Sequence, residues 1–251
     1  MPTFIRAAEI WVPDAQGQLL EFGSGLYPQA PGFGHASRSM CFGRGEGLPG
    51  RVWDEARPVL LNDLQGGYFQ RAAAAKAAGL TRAIAFPSFF GDLFKAVVVF
   101  FCGDSGTSSG AIELWRHDPG EGPDLVLADG VYAASDAAFE AASRLTRLGP
   151  GVGLPGAAWQ TQACVLLDGV SSSPRFARAG LAAATGLNRG LAMPCPVPGP
   201  VDHVLAFLSA PEMPIATRIE RWVAGADAQT LRRAQGFDEA LGNLPDVQRS
   251  A

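Results

Sequence analysis

The sequence predicts an α+β fold made of two similar domains in tandem, with a helical segment after them. Three observations carry this reading. First, Gly45-Glu46-Gly47-Leu48-Pro49-Gly50-Arg51-Val52-Trp53 returns as Gly151-Val152-Gly153-Leu154-Pro155-Gly156-Ala157-Ala158-Trp159, identical at six of nine positions. Second, the echo stays in step: residues 58–63 answer to 164–169, 77–87 to 184–194, and Ala8-Glu9-Ile10-Trp11 to Ile112-Glu113-Leu114-Trp115. A unit of about a hundred residues is far longer than a solenoid repeat of roughly 20–50, so each copy is a domain. Third, strand-like alternation and helix-like spacing follow one another in the same order in both copies. The expected division is domain 1 over residues 1–103, a polar linker over 104–110, domain 2 over 111–211, and C-terminal helices and tail over 212–251.

In the first copy, Ala7 to Val12 reads as a strand closed by the turn-forming 13–17, and Gln18 to Gly23 completes a hairpin. Gly47-Leu48-Pro49-Gly50 reads as a helix start, because proline fits a first turn that lacks hydrogen-bond acceptors for its missing N–H. Leu48, Val52 and Ala56 share one face, and Pro58 ends that helix. A short strand over Pro58–Leu61 leads to an alanine-rich helix, Phe69 to Ala78, stopped by Gly79. Arg82–Phe90 and Leu93–Cys102 are two apolar strands joined at Gly91-Asp92. The second alanine helix is expected to start with Ser173 as cap and Pro174 in its first turn. Four prolines in Met193–Pro200 predict a shortened or edge strand there, since each removes a ladder donor. At the C-terminus, Ile215, Ile219, Trp222 and Val223 form one stripe of a helix over Met213–Ala224. Asp227 can cap a further helix carrying Leu231, Ala234 and Leu241.

Bulk properties exclude several function classes. The chain has 251 residues, is 47% hydrophobic and 18% charged, and carries a net charge of −4. It can bury a core in each half and is not of disordered composition. A negative balance without a basic cluster argues against nucleic-acid binding. The longest clean apolar run, Ala96–Cys102, is far below the roughly 20 residues of a membrane span, and the first residues lack a signal-peptide pattern. Cys41, Cys102, Cys164 and Cys195 are scattered with no CxxC, which suits a reducing cytoplasm.

The order of a strand pair, a GxGLPGxxW helix, a strand, an alanine helix ending in G-L-x-R and a final strand pair resembles the GAF domain family. Trp11, Gly45–Trp53, Val59–Asp63 and Gly79–Pro87 carry the likeness in the first copy; Trp115, Gly151–Trp159, Val165–Asp168 and Gly186–Pro194 carry it in the second. The resemblance implies a roughly six-stranded antiparallel sheet flanked by helices in each domain, often with a small-molecule pocket and a regulatory role. A fold that hosts many activities does not itself name one. The sharper family readings fail on residues. His35, His117 and His203 do not adjoin a cysteine, against a bilin attachment site, and Phe237-Asp238-Glu239 lies outside both copies, against cyclic-nucleotide binding. The cysteines of the free-methionine-sulfoxide reductases are replaced by Pro49 and Pro155, and by Arg82 and Arg189.

The expected function is a cytoplasmic, non-enzymatic tandem module that senses an unidentified small molecule in an apolar pocket, domain 1 being favoured. A docking or dimerisation module with filled pockets is the alternative, and thiol-dependent reduction a weaker one. No cofactor is assigned, and a signalling protein or a second copy is the expected partner. Candidate ligand-binding residues are Trp53, Asp63, Phe69, Arg82, Phe86 and Ser88. Ile84, Phe86 and Ser88 alternate on one strand face, which places Phe86 and Ser88 on the floor of the first cavity if that face looks toward the helices. Arg82 and Arg189 are read either as anion anchors or as partners of Asp63 and Asp168.

Overall fold

The computed structural model describes residues 3–103, 110–132, 136–225 and 229–250. The first half runs β1 (Ile5–Pro13), β2 (Leu20–Leu26), α1 (Pro31–Arg38), β3 (Cys41–Phe42), α2 (Gly47–Glu55), β4 (Val59–Leu61), α3 (Ala72–Ala77), β5 (Arg82–Phe90) and β6 (Leu93–Cys102). Its strands form one antiparallel sheet in the order β3-β2-β1-β6-β5-β4. The second half runs β7 (Gly110–His117), β8 (Leu125–Tyr132), α4 (Ala137–Leu145), β9 (Arg147–Leu148), α5 (Gly153–Thr161), β10 (Val165–Asp168), α6 (Ala179–Thr185), β11 (Arg189–Cys195) and β12 (Asp202–Ser209). Its sheet, β9-β8-β7-β12-β11-β10, repeats the first strand for strand. The expected linker residues 104–109 lie outside the described residues.

Period-two alternation gives each sheet two apolar faces. One face meets the helices: Trp11, Ala85, Val97 and Phe101 pack with Leu48, Val52 and Ala75 in the first half. Trp115, Ala192, Val204 and Leu208 pack with Leu154, Ala158 and Ala182 in the second. The opposite faces meet each other back to back. Ile84, Phe86 and Phe100 join Ile112, Leu205 and Phe207 in a third core, and the rings of Phe100 and Phe207 meet edge-on at 5.8 Å. This corrects the placement of Phe86. Its strand face turns away from the helices, so Phe86 packs between the sheets and cannot floor a cavity in domain 1.

The Gly-Leu-Pro-Gly segment owes its second glycine to a close backbone approach. A Cβ on Gly50 would stand 2.0 Å from the Gly43 carbonyl oxygen, and one on Gly156 would stand 2.4 Å from that of Gly149. The same loop is closed by Gly45 N–H to Gly50 O and by Gly151 N–H to Gly156 O, both 2.8 Å. Gly50→Ala is therefore expected to lower stability by about 1–3 kcal/mol, since the backbone must shift to admit the methyl group. Urea unfolding followed by circular dichroism measures this, and an unchanged midpoint contradicts the explanation.

The shortened proline strand is as expected: β11 has 7 residues where β5 has 9. Pro194 sits beyond Ala192, the last β11 residue paired to β10, so its missing N–H faces no ladder partner on that side. Ser173 does not cap the second alanine helix. That helix begins at Ala179, and the Ser173 hydroxyl accepts the N–H of Arg175 in a turn.

The C-terminal segment is not helical. It forms β13 (Arg218–Ala224), β14 (Thr230–Asp238), β15 (Gly242–Asn243) and β16 (Gln248–Ser250), a small antiparallel sheet with β14 at its centre. The helical stripe misleads because Ile219, Arg221 and Val223 also alternate at period two, and the chain pairs with β14 instead of closing on itself. Asp227 lies outside the described residues, while Leu231 and Leu241 are exposed and line no helix face. The β13–β14 hairpin is a third version of the hairpin that opens each domain. Glu9-Ile10-Trp11, Glu113-Leu114-Trp115 and Glu220-Arg221-Trp222 are one pattern. In all three the register slips at the step just before the tryptophan. In all three the indole N–H donates to the glutamate two residues earlier, at 2.9, 2.9 and 2.8 Å.

Candidate functional site

The interior of each domain, between sheet and helices, holds a buried ion pair that the repeat delivers twice. In the first domain Glu9 comes from β1, Ser37 from α1, Arg71 from the residue before α3, and Tyr27 from the residue after β2. Arg71 grips Glu9 with both terminal nitrogens, Nη1 to Oε1 at 2.6 Å and Nη2 to Oε2 at 3.0 Å. Tyr27 Oη–H and Ser37 Oγ–H donate to Oε1 at 2.9 and 2.6 Å, and Trp11 Nε1–H donates to Oε2 at 2.9 Å. The second domain repeats this with Glu113, Arg178, Tyr132, Ser143 and Trp115. Arg178 Nη1 lies 2.5 Å from Glu113 Oε1, Nη2 lies 2.9 Å from Oε2, and Ser143 Oγ accepts from Arg178.

Aromatic rings wall both pairs. The Arg71 guanidinium stands 4.6 Å from the Phe33 ring centre and 5.3 Å from that of Phe69. The corresponding distances for Arg178 are 4.6 Å to Phe139 and 5.2 Å to Phe176. Removing two charges from water costs several kcal/mol per ion unless attraction and hydrogen bonds replace the lost solvation. Here both oxygens of each glutamate are satisfied. Burial pushes the Glu113 carboxyl up, but the Arg178 charge and the donors around it bring it below the ordinary carboxylate range. Burial and the adjacent glutamate raise both Tyr27 and Tyr132, so each phenol keeps its proton and donates. The arrangement is neutral, closed and without a free nucleophile.

The predicted site residues separate. Phe69 does line the Arg71 cage. Trp53 is buried but packs elsewhere, stacked on Phe94 at 5.8 Å with the Arg44 guanidinium 4.2 Å from its ring. Asp63 is exposed, and its carboxylate accepts the Gln65 N–H at 2.7 Å in a turn. Arg82 is half-buried at the start of β5 opposite Cys102, Ser88 is half-buried opposite Ala96, and Phe86 belongs to the inter-sheet core. Arg189 does pair with Asp168, and also reaches Glu239, the residue after β14, at 3.3 Å. Sequence reasoning missed Arg71, Arg178, Tyr27, Tyr132, Ser37 and Ser143. The available signal was that charges of opposite sign recur in both copies inside otherwise apolar surroundings.

A second feature lies at the seam between the back of β10–β11 and the C-terminal sheet. A cavity of about 300 Å³ is lined by Cys164, Leu166, Leu191, Met193, Ile219, Glu220, Arg221, Trp222 and Gln235. Burial pushes the Cys164 thiol up, against the opposing charge of Arg221, and pushes Cys195 up to about 12. Neither favours the reactive thiolate.

No family model and no curated protein matches the chain. Solved structures that resemble it each align with about one domain. A GAF domain of nlh2 from A. aeolicus in an inactive state is 18% identical, covers 40% of this chain and has a TM-score of 0.33. This chain spans 59% of that protein's length. A nitrate-site mutant of NreA from Staphylococcus aureus is 14% identical, with 40% of this chain and 74% of that one covered and a TM-score of 0.34. A free methionine-R-sulfoxide reductase from Neisseria meningitidis with its substrate is 14% identical, with 39% and 52% covered and a TM-score of 0.31. Likenesses at this level concern the fold. The six-stranded antiparallel sheet with flanking helices that the GAF resemblance implies is present twice, with the helices on one face each time. The chain is a tandem of two GAF-like domains. Among the described residues, no helix of the tandem is long and apolar enough to cross a membrane.

Proposed function

We propose that this GAF tandem is a non-enzymatic regulatory module that senses a small molecule at the seam cavity, and not inside either domain. One observation carries the reading. Both interiors are occupied by closed Glu–Arg networks, whereas the space beside β10–β11 reaches the lower end of small-molecule sites, roughly 300–1,000 Å³. An apolar floor with a few polar groups at the rim is the usual composition of a recognition cavity. The raised thiols of Cys164 and Cys195 weigh against cysteine chemistry, and the four free cysteines suit the reducing cytoplasm where we place the protein.

A metabolite screen read by thermal shift and tryptophan fluorescence tests the proposal, since Trp222 lines the cavity. Met193→Phe, which fills the seam, is expected to abolish the response to any ligand found. A ligand lost in Tyr27→Phe but retained in Met193→Phe places sensing in the first domain and rejects the seam.

A docking role is the second reading, favoured by apolar side chains held in solvent. Phe90 and Leu93 at the β5–β6 tip are 80% and 60% exposed, and Leu26 on β2 is 72% exposed. If this tip is a contact surface for a signalling partner or a second copy, Phe90→Ser with Leu93→Ser removes concentration-dependent association in sedimentation velocity. A chain that stays monomeric at all concentrations, with or without these changes, rejects self-association.

A further inference from the structure

The seam cavity contains a charge that the repeat does not call for. Glu220-Arg221-Trp222 follows the same pattern as the opening strands of the two domains, where the middle residue is Ile10 or Leu114. In domain 2 that middle residue is buried in the inter-sheet core. The third hairpin puts a guanidinium there. Alternation along β13 places Arg221 on the face of Ile219, toward β10–β11, and both line the cavity. Glu220 does not neutralise it. Its oxygens accept from Arg218, Trp222 and Arg233. Arg233, 13 residues downstream, supplies the guanidinium that the two domains draw from 62 and 65 residues away. Among the described residues Arg221 makes no ion pair, and its charge bears on the Cys164 thiol across the cavity.

We propose that the seam cavity binds a small monocarboxylate with a hydrocarbon chain, its carboxylate on Arg221 and its chain along Leu166, Leu191 and Met193. The chemistry follows from the two ends of the site. A guanidinium offers a carboxylate two parallel N–H donors, and the interaction strengthens where water is partly excluded. The opposite wall offers apolar carbon and thioether beside the Cys164 thiol, which a second charged or strongly polar group on the ligand cannot satisfy. The volume of about 300 Å³ limits the ligand to a short chain. This assignment rests on the seam being the responsive site and adds the class of ligand.

Calorimetric titration of the whole chain with octanoate, and separately with 1-octanol, is the test. Octanoate is expected to bind saturably at one site, at least about tenfold more tightly than 1-octanol. Arg221→Gln should weaken octanoate at least about tenfold and leave 1-octanol unchanged, and Arg221→Lys should recover part of the loss. The unchanged 1-octanol affinity guards against misfolding of the arginine variant, and Met193→Phe should abolish binding of octanoate. Equal affinity for the two probes, or octanoate binding that survives Arg221→Gln, overturns the carboxylate assignment even if Met193→Phe shows that the seam is occupied. Octanoate binding unaffected by Met193→Phe, or no saturable binding, overturns the assignment as well, and the former removes the seam as its place.

Discussion

Arg71→Ala is expected to cost about 3–5 kcal/mol of stability, because it strands the Glu9 carboxylate inside an aromatic wall with no counter-charge. Glu9 is fully buried, and two of its five hydrogen bonds come from Arg71. Arg178→Ala should act alike on the second domain, where Glu113 is equally buried. Replacing both partners, Glu9→Leu with Arg71→Met, is expected to recover much of the loss, since no unpaired charge remains. Equilibrium urea unfolding of the four proteins, with near-ultraviolet circular dichroism to follow Trp11, measures the series. A loss below about 1 kcal/mol for Arg71→Ala means that water reaches Glu9 and that the interior is open. That result returns the sensing site to domain 1.

The second large effect is a loss of stability in mild acid carried by His203. This residue lies on β12 with the alternation of Leu205 and Phe207, the side that meets the first domain, and it is buried. Burial, together with the charges of Arg116 and of Arg57 from domain 1, brings its pKa from the usual 6.5 down to about 4; Asp202 opposes them. The folded protein thus holds a neutral imidazole that the unfolded chain protonates first. Stability from this group is present above pH 6.5 and is lost as pH falls from 6.5 toward 4. The loss between pH 7 and pH 5 is about 2 kcal/mol, from roughly 1.4 kcal/mol per pKa unit. His203→Asn should flatten that interval in urea unfolding at the two pH values. An unchanged slope transfers the acid sensitivity to other groups and leaves the inter-sheet face indifferent to pH.

Much of the architecture was legible in the chain because duplication supplies its own control. A pattern such as Gly45–Trp53 recurring at Gly151–Trp159 can be assigned twice, and β5 and β6 match their sequence-based bounds to the residue. The interior network was not legible. Glu9 and Arg71 are 62 residues apart, and as single residues each reads as a surface charge. The C-terminal strands are illegible for a different reason. Ile215, Ile219, Trp222 and Val223 satisfy a helical spacing, while what decides the matter is the pairing of β13 with β14, which that spacing does not record.

Repetition along the chain was enough to establish two domains of one kind and the order of their strands and helices, because those depend on local spacing, turn residues and proline or glycine positions. Packing alone settled which face of each sheet meets the other. Side-chain alternation divides a strand into two sets but does not say which set turns inward, so Phe86 went to the inter-sheet core and not to a cavity. Packing also closed a Glu–Arg network inside each domain and left a hollow beside Arg221. Contacts between residues far apart in sequence determine which charges find partners, and nearest-neighbour patterns carry no record of them.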